Sequence, residues 1–182
     1  MKKFVSNNPE ELKKIAIKLA DNLMSRSRLD IGGGALVLAL YGDLGSGKTT
    51  FAQAFAGALG VKEKVKSPTF IIFRKSKIIP LLAGQNSKFR CFYHFDVYRI
   101  NSEKEILNLG WEEIISNPKN IVLVEWADKI ENILPKNSIK INFKHLKGDK
   151  REMEITWRQY HIWYIMKMAE YKVKFYKNSN NG

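Results

Sequence analysis

A single cysteine, five prolines and the lack of any apolar run long enough to cross a membrane limit what this 182-residue chain can be. One thiol, Cys91, can form no internal disulfide, and its apolar neighbours read as those of a buried structural thiol. Without a membrane-length run, no spanning helix is expected. Met1-Lys2-Lys3 starts like the basic end of a signal peptide, but Ser6-Asn7-Asn8-Pro9-Glu10-Glu11 stands where the apolar stretch belongs. The expectation is a cytoplasmic protein without membrane contact.

Acids are scarce as well. The 18 Asp and Glu against 31 Lys and Arg leave a net charge of +13. That surplus is consistent with an anionic partner such as RNA. Lysine, asparagine and isoleucine are frequent along the whole length, however, so drift in composition gives the same number without a binding patch. Neither a nucleic-acid module signature nor a dense basic block is present. Repeats and low-complexity tracts are missing too, and 45% hydrophobic with 27% charged residues suit one soluble domain with a sizeable core.

The stretch Ala35 to Gly60 organises the rest. Gly42, Gly45, Gly47, Lys48 and Thr49 fit G-x-x-x-x-G-K-[ST], in which a glycine-rich turn points backbone N–H groups at a nucleotide's phosphates. Leu36 to Tyr41 is an apolar run of strand length that stops at Gly42. Thr50 to Leu59 then carries Phe51, Ala54, Phe55, Ala58 and Leu59 at helical spacing, so strand, loop and helix follow in the order such a loop needs. The backbone of Asp43, Leu44, Gly45, Ser46, Gly47 and Thr50 is the expected cradle, aided by the positive end of the helix dipole. Lys48 should reach the β- and γ-phosphates, and Thr49 supplies the hydroxyl for Mg²⁺. No Asn-Lys-x-Asp pattern for reading guanine occurs, which favours ATP over GTP.

Several further segments bear on the site. Pro9 to Leu23 reads as a packing helix with Leu12, Ile15, Leu19 and Leu23 on one face and Asn8 as its cap. Arg26 to Gly34 reads as a loop. After the charged connection Val61 to Ser67, the apolar run behind Pro68 reads as a strand with Thr69 at its start. Thr69 is read either as an ordinary strand residue or as a hydroxyl near the γ-phosphate and metal. Ile78 to Lys88 is a hairpin loop, and Phe89 to Tyr98 the next strand. Asp96 at its end is either a solvated acid or a metal-facing carboxylate. His94 has no second ligand at metal spacing and reads as a packed or surface residue.

Ser102 to Ile115 reads as helical, with Ile106, Leu109 and Ile114 inward and Gly110 interrupting. Ile121-Val122-Leu123-Val124 is rich in β-branched residues and ends at Glu125-Trp126. Four apolar residues followed by an acid make the second signature of phosphate-loop proteins, the carboxylate polarising the attacking water or holding Mg²⁺ through water. Glu125 is therefore the catalytic acid of choice, beside Lys48. Trp126 is read either as a contact to nucleotide or partner or as a core or rim aromatic. Asp128 to Leu134 forms a turn or short helix, and Ile139 to Phe143 and Met153 to Thr156 a closing hairpin.

Five motifs in order, GDLGSGKT from Gly42, SPTF from Ser67, HFDVYR from His94, LGWEE from Leu109 and VEWADK from Val124, resemble those of the TsaE family over about residues 4 to 156. That family is the small ATPase subunit of the bacterial machinery that installs threonylcarbamoyladenosine at position 37 of tRNAs reading codons that begin with A. The resemblance implies an α/β fold, a three-layer sandwich of the P-loop NTPase type around a mixed parallel and antiparallel sheet. It also implies a weak ATPase that docks on the transferase and its inactive paralogue, with tRNA as a candidate contact in the assembled complex. Carried over, Lys48 and Thr49 contact phosphate and metal, Thr69 and Asp96 belong to the metal and γ-phosphate surroundings, and Glu125 is the hydrolytic acid. Two departures stand out: the Ile78 to Lys88 loop is longer than the pattern needs, and residues 157 to 182 extend past its end. In that basic, aromatic extension Trp157, Tyr160, Tyr164, Met168 and Tyr171 share one helical face, before a disordered Lys177 to Gly182. The competing reading is a small-molecule or nucleoside kinase using the same loop, against which stands the lack of an arginine-rich lid.

Overall fold

A computed structural model describes residues 1–24, 33–62, 72–79 and 88–157. Thr69, most of the Ile78 to Lys88 loop, most of the Arg26 to Gly34 loop and the extension past Trp157 lie outside the described residues.

Two uninterrupted apolar runs become the middle of the sheet. Strands β2 (Leu36–Tyr41) and β5 (Asn120–Glu125) are buried along almost their whole length, as strands covered on both faces must be. They lie side by side and parallel, with β4 (Cys91–Asp96) parallel beyond β5 and β6 (Ile139–His145) parallel beyond β2. Antiparallel strands close both sides: β3 (Phe73–Lys77) on β4, β7 (Arg151–Thr156) on β6, and β1 (Lys2–Ser6) on β7. The order β1-β7-β6-β2-β5-β4-β3 is a mixed seven-stranded sheet.

Side chains alternate between two cores. Leu36, Leu38, Leu40, Ile121 and Leu123 face α1 (Pro9–Met24) and α2 (Lys48–Ala58), where they meet Leu12, Leu19, Leu23, Phe51 and Phe55. Val37, Ala39, Phe95, Val122 and Val124 face the opposite way, toward α3 (Glu103–Leu107), α4 (Trp111–Ser116) and a 3₁₀ segment, Ala127–Ile133. Helices on both faces of a mixed sheet make the three-layer α/β sandwich that the sequence leads one to expect. Asn8 caps α1 as its sequence suggests, its Oδ1 accepting the Glu11 N–H at 2.9 Å. Trp157 packs against the α1 and α2 side of the sheet.

Four local readings need correction. Strand β1 has no counterpart in the sequence reading, because five residues with two lysines carry little apolar signal. Strand β3 runs on past the apolar run through polar Arg74 to Lys77, since an edge strand needs only one packed face, while residues 69–71 of that run lie outside the described residues. Helix 102–115 is two short helices: Gly110 takes a left-handed φ of 79° and caps α4, so Leu109 leaves the helical period and is 37% exposed rather than inward. Cys91 is half-buried, because it opens β4 at the margin of the second core.

Candidate active site

The parallel strands β2, β4 and β5 all end on one side of the sheet, the place where open α/β sheets bind ligands. The turn leaving β2 there needs its glycines. Gly42 has φ 127° and Gly47 φ 106°, and a Cβ on Gly42 would stand 2.3 Å from the Phe143 carbonyl oxygen. A Cβ on Gly47 would meet Leu12 Cδ2 at 2.7 Å, so the loop lies tight against both α1 and β6. Arg151 of β7 donates from Nε to the Gly45 carbonyl at 3.2 Å.

Lys48, the first residue of α2, is only 4% exposed. Its Nζ donates to the carbonyls of Gly42 at 2.6 Å and Asp43 at 2.8 Å, and to Ser46 Oγ at 3.4 Å. Trp126 covers the same ammonium, which lies 3.7 Å from the ring centroid. Burial pushes the Lys48 pKa down, against the upward pull of Glu125, Asp128, Asp43 and Asp96. Trp126 reaches this position from a left-handed backbone, φ 61° and ψ 43°, the only positive φ of a non-glycine residue among the described residues. Such a conformation is costly for a bulky aromatic, and strain of this kind clusters at functional sites. Tyr98 flanks it, ring centroids 4.7 Å apart.

Glu125 closes β5 with its carboxylate directed to the α2 side of the sheet, in step with Ile121 and Leu123. Both of its oxygens are engaged. Thr49 donates from Oγ1 to Oε2 at 2.7 Å, and His94 Nε2 lies 2.8 Å from Oε1. Asp96 is the residue opposite Glu125 in the β4–β5 register, and its Oδ1 accepts the Tyr98 N–H at 3.2 Å. Between these groups opens a cleft of ≈ 250 Å³, lined by Leu44, Gly45, Ser46, Gly47, Lys48, Thr49 and Thr50 on one wall and Asp96, Tyr98, Arg99 and Trp126 on the other.

The structure thus brings together Lys48, Thr49, Asp96, Glu125 and Trp126, which lie in three separate parts of the sequence. Asp43 takes part through its carbonyl, which accepts from Lys48 and from the Ser46 N–H. Thr69 lies outside the described residues. His94, Tyr98 and Arg99 received no role from the sequence, although all three stand in the HFDVYR stretch around Asp96. Strand alternation was the available signal for His94: it lies two residues before Asp96 and so shares its face. Among the described residues, no three His, Cys, Asp or Glu side chains are grouped to hold a metal by themselves. The site's oxygens from Thr49, Asp96 and Glu125 are of the kind a hard divalent cation takes when water and phosphate complete its shell.

Comparison with known proteins agrees with this architecture. The solved structure of Bacillus subtilis YdiB superposes with a TM-score of 0.63 at 28% identity, covering 94% of this chain and 95% of that one. Two curated relatives carry the name tRNA threonylcarbamoyladenosine biosynthesis protein TsaE. The one from Bacillus subtilis is 38% identical over 156 residues, 85% of this chain and 84% of the relative. That from Rickettsia felis is 34% identical over 149 residues, 81% and 75% respectively. Residues 6–153 match the family model described as Threonylcarbamoyl adenosine biosynthesis protein TsaE, a span that holds the loop, both strand-end acids and Trp126. This chain belongs to the TsaE family.

Proposed function

We propose that the chain is a cytoplasmic ATP-binding and ATP-hydrolysing subunit in tRNA threonylcarbamoyladenosine biosynthesis, required for modification of adenosine 37 in tRNAs reading codons that begin with A. The observation that carries this reading is the contact between Thr49 and Glu125, 2.7 Å apart beside Lys48. Two side chains 76 residues apart in sequence meet where a phosphate-loop hydroxyl and a hydrolytic acid are expected to meet. In the proposal, the loop backbone from Asp43 to Thr50 holds the phosphates and Lys48 exchanges its carbonyl partners for phosphate oxygens. Glu125 orients the attacking water and accepts its proton, while Trp126 with Tyr98 borders the nucleotide. Mg²⁺, when bound through Thr49, Asp96, Glu125 and Thr69, neutralises charge on the phosphate oxygens.

The proposal includes weak activity alone and stimulation by the transferase and its inactive paralogue, and the same geometry supports that part of it. Lys48 is held by its own loop and by Trp126, and the Glu125 oxygen nearest the loop, Oε2, is taken by Thr49. A partner that favours the released arrangement raises turnover by shifting that population. ATPase chemistry is assigned to residues 1–156, with 157–182 as an appended segment in which tRNA contact is a secondary idea. Among the described residues that line the cleft Arg99 is the one arginine, and none of them favours the kinase reading.

Phosphate release by the purified chain, with and without the transferase–paralogue complex and tRNA, tests this reading. Strong stimulation that Glu125→Gln abolishes is expected. Unstimulated hydrolysis in the presence of active partners, or full activity of Glu125→Gln, defeats it.

A further inference from the structure

His94 is 2% exposed and Glu125 1% exposed, which makes their contact one of the most buried polar pairs among the described residues. Its neighbours on the same strand face argue for an apolar side chain here. Phe92 precedes it by two residues and the two rings are nearly parallel, 15° apart with centroids at 6.4 Å. A phenylalanine would fill such a place without the cost of burying a polar imidazole. The histidine is explained by where its polar edge goes. In the β4–β5 register His94 stands opposite Leu123, so its ring reaches diagonally past that residue to Glu125 Oε1.

We infer that His94 is the positioning residue for Glu125: its Nε2–H holds Oε1, so that Oε2 alone faces Thr49, itself a residue of the cleft wall. A carboxylate only accepts hydrogen bonds, which makes Nε2 the protonated ring nitrogen of this pair. The consequence is a division of labour within one side chain. Oε1 is tied to the sheet, and Oε2 is left as the working oxygen whose direction is fixed by that tie. Without it, rotation about the terminal carboxyl torsion is restrained by Thr49 alone, the same hydroxyl the proposed metal claims. His94 is not among the residues lining the cleft and acts through Glu125.

The inference rests on the ATPase reading for its consequence in turnover, and on the hydrogen bond alone for its geometry, so two measurements separate them. In ¹⁵N-edited spectra of the nucleotide-free full chain, His94 Nε2 is expected as a protonated, exchange-protected nitrogen whose signal moves in Glu125→Gln. An unprotonated Nε2, or one indifferent to Glu125→Gln, overturns the inference. In partner-stimulated hydrolysis, His94→Phe keeps a flat ring beside Phe92 and removes the donor. Its kcat should fall roughly tenfold to a hundredfold while ATP affinity changes by less than about threefold. His94→Gln, which offers an N–H again, should recover much of the loss. Unaltered kcat in His94→Phe, or parallel loss of ATP binding in both variants, marks His94 as a core residue and overturns the idea. Should His94→Phe not fold, His94→Met removes the donor at similar length. If wild-type protein hydrolyses no ATP under any partner condition while the Nε2 signature is present, the ATPase reading falls and the placement of Glu125 by His94 stands.

Discussion

The Lys48 ammonium lies 3.7 Å from the centroid of the Trp126 ring, and Trp126 holds that place from a left-handed backbone. An attractive contact is thus maintained against a local conformational cost. Each is worth on the order of 1–2 kcal/mol, so they nearly offset. Trp126→Gly should leave stability within about 1 kcal/mol of wild type, since glycine relieves the strain as it removes the ring. Trp126→Val loses the ring and keeps the strain, and should be less stable than Trp126→Gly by roughly 1–2 kcal/mol in urea titrations. Equal stability of the two variants would show that the left-handed backbone carries no cost.

Two single substitutions in the site should separate binding from chemistry. Lys48→Ala removes the charge proposed to meet the phosphates and should weaken ATP binding at least tenfold, measured calorimetrically. Glu125→Gln leaves the loop intact and should bind ATP within a few-fold of wild type, with hydrolysis down by about 10²-fold or more. If both variants bind equally and hydrolyse normally, the residue roles assigned here are wrong.

Glycines of the loop between β2 and α2 should not be equivalent. Gly42→Ala faces both a positive φ and a Cβ 2.3 Å from the Phe143 carbonyl oxygen, so a loss of roughly 3 kcal/mol or more is expected. Gly45→Ala meets nothing within 4 Å and bears only the cost of φ 75°, about 1 kcal/mol. Chemical denaturation of the two variants side by side decides this, the ranking being the point at issue.

The pH dependence of stability has a component at Tyr41. Burial, and then its hydrogen bond to Glu131 Oε2 at 2.5 Å, raise the hydroxyl above the ordinary tyrosine value of 10.0. The folded chain therefore keeps this proton where the unfolded chain has lost it. The resulting stabilisation is complete below pH 10 and lost as pH rises above it. Wild type should accordingly lose more stability than Tyr41→Phe between pH 8 and pH 11 in urea titrations. The lowered Lys48 pKa acts with the opposite sign in that range, and comparison with the variant cancels it. A gap between the two proteins that does not change with pH refutes the Tyr41 assignment.

Legibility from sequence was uneven for physical reasons. Strands β2 and β5 announce themselves because both faces are covered, and the loop between β2 and α2 because its backbone angles demand glycine. Strand β1 and the polar half of β3 carry one packed face or less, and their pairing is decided by partners distant in sequence. Leu109 was misplaced because a helical period was carried through Gly110, where the chain turns left-handed. Within the site, the acids were legible by their position at strand ends, but His94 was not. Its role depends on a diagonal reach across two strands, which spacing along one strand does not encode. Trp111 of the LGWEE motif is likewise clear only in three dimensions: buried, and donating from Nε1 to the Ile133 carbonyl at 3.0 Å, it fastens α4 to the segment that follows Trp126.

The pairing of β1 with β7 has a consequence for synthesis on the ribosome. Residues 2–6 emerge early, yet their partners, 151–155, are among the last parts of the sheet to be made. The Arg151 contact to the Gly45 carbonyl waits for the same event. A nascent chain can therefore build α1, β2 and the glycine-rich loop long before the strand that braces the loop exists. Under the proposed function, nucleotide present during translation meets a loop without its Arg151 contact until β7 has been made.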